Sequence, residues 1–246
     1  MVVSSSLRKG GLAQWESSCL TSRLSWVQIP HPPDTVPVLS INIGTVDFQS
    51  TIFHDISMGN TGIKRISSPI LSSRRLVLRP FTLDDTIALF SWASDAEVTR
   101  FLRFPVHHTI QESERVIKKW IDNEKHPPFF HWAIETRDEM EVIGSIGIEI
   151  TSLHDNRGEI GYCLSKRAWN RGYATEALRT VLEFGLERAG FHRIEAAHAV
   201  ENVASGKVMQ KAGMTCEAGP LRDYYKADLL GYQDVFLYVA FESEMN

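Results

Sequence analysis

The chain has 246 residues, of which 43% are hydrophobic, and a formal charge of −4 at pH 7. This length allows one well-buried domain, with or without an extension. Lys and Arg are scattered along the sequence, so no basic patch predicts binding to nucleic acid or to an anionic membrane surface. No apolar run approaches the ~20 residues of a membrane span, and the start lacks a secretory signal pattern, so a cytoplasmic protein is expected. The three cysteines, Cys19, Cys163 and Cys216, lack C-x-x-C spacing, which argues against a disulfide framework and a zinc site.

Residues 1–68 differ in character from the rest of the chain, because they are rich in Ser, Thr, Pro and Gly and show little periodicity. Residues 26–30 (WVQIP) back-translate into the T-loop consensus of a transfer RNA gene, and residues 19–23 (CLTSR) into an anticodon arm. One interpretation is therefore a translated transfer RNA gene, with the true start of the protein near Met58. The other is a disordered N-terminal extension. Both place the folded domain at residues 69–246.

From residue 74 onward, alternation and capping signals predict regular elements. The run RRLVLRPF alternates as a strand that ends at Pro80. Thr82 is placed to cap a helix over DDTIALFSWAS, which has acidic residues in its first turn. A second helix, with an apolar face, is predicted from about residue 111 to residue 123.

Three strands follow, FFHWAIE, EVIGSIGIEI and RGEIGYCLS, and their short polar links are typical of an antiparallel meander. A long helix is predicted over residues 173–188 with Gly190 as its stop, and the strand FHRIEAAHAV after it should pair in parallel with the strand before it. A short helix ending at Gly213 and two closing strands, MTCEAG and GYQDVFLYVAF, complete the chain. We therefore expect an α+β fold with a central, mixed, mostly antiparallel twisted sheet of about seven strands flanked by helices.

The junction between RGEIGYCLS and the long helix has the features of an anion site. Gly172 and Ala174 remove side-chain bulk where the helix begins. The backbone N–H groups of residues 171–175 can then point outward together, and the helix dipole adds to their attraction for negative charge. The chain has neither a G-x-G-x-x-G after a strand nor a G-x-x-x-x-G-K-S/T, which excludes a Rossmann fingerprint and a Walker loop. The junction thus indicates a nucleotide or coenzyme A site of another kind.

The order of elements resembles the GNAT acetyltransferases, and more closely their ribosomal-protein N-terminal acetyltransferase, or Rim-type, branch. The resemblance covers about residues 74–242, and its marks are RLVLRPF, HWAIE with IGSIGI, GEIGY, WNRGYATEAL and ENVASGKVMQKAGM. The superfamily's pyrophosphate motif, Q/R-x-x-G-x-G/A, is matched by Gly172 and Ala174, while Trp169 stands at its first place, a departure that the Rim-type branch commonly shows. This departure changes the prediction of acetyl-CoA binding little, because the anion is held by backbone amides, which any residue supplies.

The resemblance implies a GNAT-like fold and an N-acetyltransferase that moves an acetyl group from acetyl-CoA to a primary amine by direct attack in a ternary complex. Acetyl-CoA is then a co-substrate, and no metal is needed. The acceptor is either a protein N-terminal α-amine or a small-molecule amine, and the protein is a monomer or a homodimer. The alternative is a non-catalytic sensor that binds acetyl-CoA without turnover.

The resemblance also assigns residues to the coenzyme. Backbone groups at the end of RGEIGYCLS polarise the carbonyl and hold pantetheine, and Asn202 with Ser205 matches the family's N-x-x-S, for which helix capping is the other interpretation. Cys163 is expected to be a wall residue, because no His–acid pair is visible beside it. The implied coenzyme-binding residues are Cys163, Leu164, Ser165, Trp169, Asn170, Arg171, Gly172, Tyr173, Ala174, Thr175, Asn202 and Ser205.

Two side chains are the expected catalytic residues. Ser205 is the candidate proton donor to the sulfur, and Glu159 is the candidate general base, acting through a water. Glu149, His131 and His198 are comparable candidates for the base, since sequence alone cannot rank them by distance.

Overall fold

The computed structural model describes residues 62–241, in which eight strands form one sheet with helices on both faces. The strands are β1 (Leu71–Ser72), β2 (Leu76–Arg79), β3 (Phe130–Thr136), β4 (Val142–Ser152), β5 (Arg157–Leu164), β6 (Arg193–Ala199), β7 (Thr215–Ala227) and β8 (Gly231–Ala240). The helices are α1 (Thr86–Ala93), α2 (Ala96–Thr99), α3 (Ile110–Asn123), α4 (Tyr173–Glu183) and α5 (Val203–Ala212). Short 3-10 turns at Leu83–Asp85 and Lys166–Ala168 precede α1 and α4, and a π-helical segment, Phe184–Ala189, extends α4.

The strand order is β1-β2-β3-β4-β5-β6-β8-β7, and every adjacent pair is antiparallel except β5 with β6. The parallel pair follows from the crossover through α4, which returns the chain to the same end of the sheet. The predicted α+β fold and the predicted parallel pair are both confirmed.

A hydrophobic core lies on each face of the sheet. The first packs the sheet against α4, the π-helical segment and α5, and it contains Trp132, Leu178 and Phe191. The second packs the other face against α1–α3, and it contains Trp92 and Ile117. Because strand side chains alternate between faces, neighbouring residues of β5 point into different cores.

The predicted elements differ from the observed ones in several places, and the short helix α2 was not predicted. The sheet has eight strands because residues 71–72 form a short additional strand, which is too brief to show alternation. The helix predicted over residues 173–188 changes to π geometry at Phe184, where Gly185 packs closely on Ile194. The strand after Gly213 runs to Ala227, well beyond MTCEAG. Within residues 62–241, no helix is long and apolar enough to cross a membrane.

Residues 62–68, which the sequence assigned to the N-terminal extension, pack on the domain. Ile63 is buried in the first core, and the N–H of Lys64 donates to the carbonyl of Ala189 at 2.8 Å. The hydroxyl of Ser68 accepts from the N–H of His131 at 2.8 Å. The packed chain therefore begins before residue 69, whereas residues 1–61, including Met58, lie outside the described residues.

We expect deletion of residues 1–57 to leave the melting temperature within a few degrees of the full-length value, because Ile63 and Ser68 are retained. Deletion of residues 1–68 should lower it clearly, since an Ile side chain contributes about 1.5–3 kcal/mol on burial. Thermal melts of both truncated proteins test these two expectations. Equal, large losses in both would show that residues 1–57 also stabilise the domain.

Candidate active site

The candidate site is the gap that opens where β5 and β6 separate. The two strands pair over only three positions, from Arg157 with Arg193 to Glu159 with Glu195. Beyond Glu159, β5 continues to Leu164 and stays paired with β4, but its other edge has no strand neighbour among the described residues. Backbone groups on that edge are available to a ligand.

The alternation of the β4–β5 ladder decides which backbone groups face the gap. The N–H of Ser165 donates to the carbonyl of Ile143 at 2.8 Å, so Ser165 and Cys163 direct their backbone groups toward β4. Leu164 and Tyr162 must direct theirs toward the gap. Of the three predicted wall residues, Leu164 is therefore the one whose N–H can reach a ligand there. The Oγ of Ser165 is buried and has no hydrogen-bond partner among the described residues.

The turn before α4 has a backbone that favours anion binding. Asn170 and Gly172 both have positive φ, 59° and 79°, and Gly172 is the N-cap of α4. The indole Nε1 of Trp169 donates to the carbonyl of Leu164 at 2.9 Å, which joins the turn to the end of β5. The first N–H groups of α4, from Tyr173 onward, have no intrahelical acceptor, as at every helix start. The predicted turn thus lies at the mouth of the gap.

Glu176 and Arg75 form a charged clamp that holds this turn. The carboxylate of Glu176 accepts from the Arg75 N–H at 2.7 Å, from Arg75 Nε at 2.7 Å and from the Ser73 hydroxyl at 2.8 Å. Arg75 in turn donates to the carbonyl of Arg171 at 2.9 Å and stacks over the Tyr173 ring. These contacts lower the pKa of Glu176. The clamp keeps the Arg171 carbonyl turned toward Arg75.

A separate cavity of about 180 Å³ borders the turn, lined by Arg167, Arg171 and Tyr173 with residues of β3 and β4. Arg167 pairs there with Glu141. Neither Glu159 nor Ser205 lines this cavity. It is therefore not the place where those two side chains could act.

The first turn of α5 closes the gap from the β6 side. Asn202 is the N-cap, and its Oδ1 accepts from the N–H of Ser205 at 3.3 Å, which is the capping interaction. The hydroxyl of Ser205 lies 2.8 Å from the hydroxyl of Tyr162 on β5. Ser205 therefore has a structural partner that the sequence did not reveal.

Glu159 lies on the opposite face of β5 from Tyr162, beside Arg103. The Arg103 guanidinium is 3.0 Å from Glu159 Oε1 and stacks over the ring of Tyr225. Tyr225 in turn donates its hydroxyl to the carbonyl of Phe101 at 2.8 Å, so β7 holds the loop after α2 against this site. The sequence did not predict this ion pair.

Three glutamates form a row across the sheet, because Glu149, Glu159 and Glu195 are in register on β4, β5 and β6. Burial raises the pKa of Glu159, and the neighbouring glutamates raise it further, while Arg103 opposes the shift. Glu195 is held by Arg157 and Arg193. Glu159 is thus a half-buried carboxylate whose charge is paired with that of Arg103.

The other candidate bases and the thiol are in unsuitable surroundings. His131 stacks on Trp120 at 4.3 Å between ring centroids, its Nε2 is buried without a hydrogen-bond partner among the described residues, and burial lowers its pKa to about 4. His198 is buried, and its Nδ1 lies 2.8 Å from the carbonyl of Ala199. Burial raises the pKa of Cys163 to about 12, so its thiol stays protonated. Glu159 and Glu149 remain as candidate bases.

Two acidic residues at the start of α2 already have partners. Asp95 caps α2 by accepting from the N–H of Glu97 at 2.8 Å, and Glu97 pairs with Lys166. Sequence reasoning missed Arg75, Arg103 and Tyr162 as site residues. For Arg75 and Arg103 no local pattern could have found them, since their partners Glu176 and Glu159 are distant in sequence.

We expect His131 to make the fold less stable as the pH falls. Its pKa is lowered from 6.5 to about 4 in the folded state, so the unfolded chain binds more protons between these values, and unfolding is favoured as the pH drops through them. The loss is about 3 kcal/mol at most. His131→Phe should flatten this dependence in urea unfolding at pH 7 and pH 4, whereas His126→Phe, at an exposed position, should not. An unchanged slope in His131→Phe would contradict the assignment.

Comparison with known proteins agrees with this geometry. Residues 75–215 match the family model of the acetyltransferase (GNAT) domain, which is more than half of the chain. The chain is 34% identical over 156 residues to "Uncharacterized N-acetyltransferase YoaA" of Bacillus subtilis (strain 168), and the match covers 63% of this chain and 88% of that protein.

Two solved structures share the fold. A ribosomal-protein-S5-alanine acetyltransferase from Vibrio fischeri, of the kind that the predicted Rim-type branch contains, has a TM-score of 0.60 at 19% identity over 73% of this chain and 100% of its own. A spermidine N-acetyltransferase from Vibrio cholerae, solved with CoA and spermine, has a TM-score of 0.61 at 17% identity over 70% of this chain and 99% of its own. The family match shows that the chain belongs to the GNAT acetyltransferases, which are acetyl-CoA-dependent acyltransferases.

Proposed function

We propose that the chain transfers an acetyl group from acetyl-CoA to a primary amine within a ternary complex. The observation that supports this most strongly is the gap between β5 and β6, which has the turn before α4 at its mouth and the hydroxyl of Ser205 on its wall. The free edge of β5 at Leu164 supplies a backbone donor on the same opening. An extended ligand with an anionic end and a polar chain fits these three features.

Different backbone groups bind different parts of acetyl-CoA. The amides of residues 171–175 bind the pyrophosphate, since they lie at a helix start with Gly172 as the N-cap. Tyr162 and Leu164 offer backbone groups to pantetheine, as an added strand would take them. The Leu164 N–H is the donor best placed for the thioester carbonyl, where it stabilises negative charge that develops on the oxygen.

Two protein groups, Glu159 and Ser205, accept and donate the protons that the acetyl transfer requires. The amine nitrogen forms a bond to the acetyl carbon while the bond from that carbon to sulfur breaks. The proton that the nitrogen loses passes through a water to the carboxylate of Glu159. The sulfur takes a proton from the hydroxyl of Ser205, and water restores that proton. Glu159 returns its own proton to solvent before the next turnover.

The acceptor is either a protein N-terminal α-amine or a small-molecule amine. Structural neighbours of both kinds share the fold, namely an acetyltransferase of ribosomal protein S5 and a spermidine acetyltransferase. The charge of Glu159 is offset by Arg103 and that of Glu195 by two arginines. Glu149 has no ion-pair partner among residues 62–241, and an amine with a single positive charge suits this one free carboxylate of the row better than a polyamine.

The test is release of CoA thiol from acetyl-CoA with a panel of N-terminal peptides, monoamines and polyamines. Amine-dependent thiol release supports the proposal, and the panel ranks the acceptor classes. Tight binding of acetyl-CoA without thiol release for any amine would instead support a non-catalytic sensor.

We expect Gly172→Glu to abolish tight binding of acetyl-CoA. The positive φ of Gly172 strains any other residue, and a carboxylate at the start of α4 repels the pyrophosphate. Gly231→Glu is the matched control, because Gly231 also has positive φ, 75°, but is the first residue of β8. Calorimetry should show at least about tenfold weaker binding for the first variant alone. Equal affinities would place the pyrophosphate elsewhere.

We expect Glu159→Gln to lower the rate most at a pH between the pKa of Glu159 and that of the acceptor amine, where Glu159 is ionised and most of the amine is protonated. Burial raises the pKa of Glu159, so the wild-type rate should rise as the pH increases through a value above that of an ordinary carboxylate. The variant loses that rise, and its defect should shrink at high pH, where more of the amine is already neutral. The defect in the pH range between the two pKa values should be about 100-fold. Glu149→Gln serves as the comparison, and a larger defect in that variant would transfer the base role to Glu149.

A further inference from the structure

Tyr162 bridges the gap at the point where β6 no longer pairs with β5. Its side chain leaves the face of β5 that packs against α4 and α5 and reaches the first turn of α5. Its hydroxyl lies 2.8 Å from the Oγ of Ser205 and 3.1 Å from the carbonyl oxygen of the same residue. Among the described residues, Tyr162 is the one hydrogen-bond partner of that Oγ.

The protonation of Tyr162 limits what this contact can do. Burial raises the pKa of the Tyr162 phenol far above its ordinary value, so the hydroxyl keeps its hydrogen at any assay pH. That hydrogen can go to the Oγ or to the carbonyl. If it goes to the Oγ, the hydrogen of Ser205 is free to point into the gap. The phenol therefore influences where the Ser205 hydroxyl points.

We propose that Tyr162 is a positioning residue for the acetyl transfer, which directs the hydroxyl hydrogen of Ser205 at the departing sulfur. This inference rests on the proposed function. The phenol fixes the rotamer of Ser205 and donates to its Oγ, and a hydroxyl that accepts one hydrogen bond donates another more strongly. The proton that the sulfur takes is that of Ser205, water restores it, and Tyr162 keeps its own proton throughout.

A purely structural brace would behave differently. The bond from Tyr162 to the Ser205 carbonyl ties β5 to α5, and it does not depend on the Ser205 side chain. Tyr162→Phe would then lower activity by the same factor whether residue 205 is Ser or Ala. A positioning role acts through the Oγ, so its effect disappears when the Oγ is absent.

The experiment is a double-mutant cycle with Tyr162→Phe, Ser205→Ala and the double variant. Steady-state acetylation gives kcat, and calorimetry gives the affinity for acetyl-CoA. We expect Ser205→Ala to lower kcat by up to about 100-fold. Tyr162→Phe should lower kcat by about 5- to 10-fold with acetyl-CoA affinity within about twofold of wild type. The double variant should be no slower than Ser205→Ala.

Matched variants separate this role from general damage. Tyr238→Phe removes another buried phenol hydroxyl, one that accepts from Gln210 near the end of α5, and it should leave kcat unchanged. Ser205→Thr keeps a hydroxyl, so Tyr162→Phe should again slow the reaction in that background. Melting temperatures show whether each variant is folded at the assay temperature.

Three results would overturn the proposal: an equal effect of Tyr162→Phe in the wild-type and Ser205→Ala backgrounds, an unchanged kcat in Tyr162→Phe, or a loss that lies wholly in acetyl-CoA affinity. Failure of the proposed function would look different, because the wild-type protein would then release no thiol with any amine. The positioning role of Tyr162 and the proposed function can therefore be disproved independently of each other.

Discussion

The site depends on the separation of β5 from β6 after three paired positions. Backbone groups that lose a strand neighbour need other partners, because burying them unpaired is costly. Part of that need is met by the protein itself, since Trp169 donates to the carbonyl of Leu164. The remaining backbone groups on this edge of β5 face the gap, where a ligand can reach them. The start of α5, with Ser205, lies across this gap from β5.

The mouth of the gap is held by interactions that span the chain. Glu176 takes three hydrogen bonds from the segment Ser73–Arg75, about a hundred residues earlier. Arg75 then reaches the carbonyl of Arg171 in the turn. A turn that binds an anion through its amides needs a fixed backbone, since each amide must keep its direction. The connection between β1 and β2 therefore stabilises the turn before α4.

Much of the fold could be predicted from local patterns. Alternation identified seven of the eight strands, and Thr82, Gly190 and Gly213 act as the caps or stops that their residue types suggested. The turn at Gly172 was identifiable because two small residues, Gly172 and Ala174, stand where a helix begins after a strand, and the positive φ of Gly172 agrees with a turn there. The ranking of the candidate bases was not predictable, because burial and stacking around His131 come from α3 and β3 together.

The sequence by itself determined the element order, the parallel crossover and the small-residue turn before α4, since each follows from periodicity, capping or chirality within about thirty residues. Only the tertiary structure decided which side chains share the site. The pairs of Arg103 with Glu159 and of Tyr162 with Ser205 join residues 56 and 43 positions apart. No local pattern in the sequence predicts such contacts. They depend on how far β5 and β6 diverge, and on how closely the β7–β8 hairpin and α5 pack across the gap.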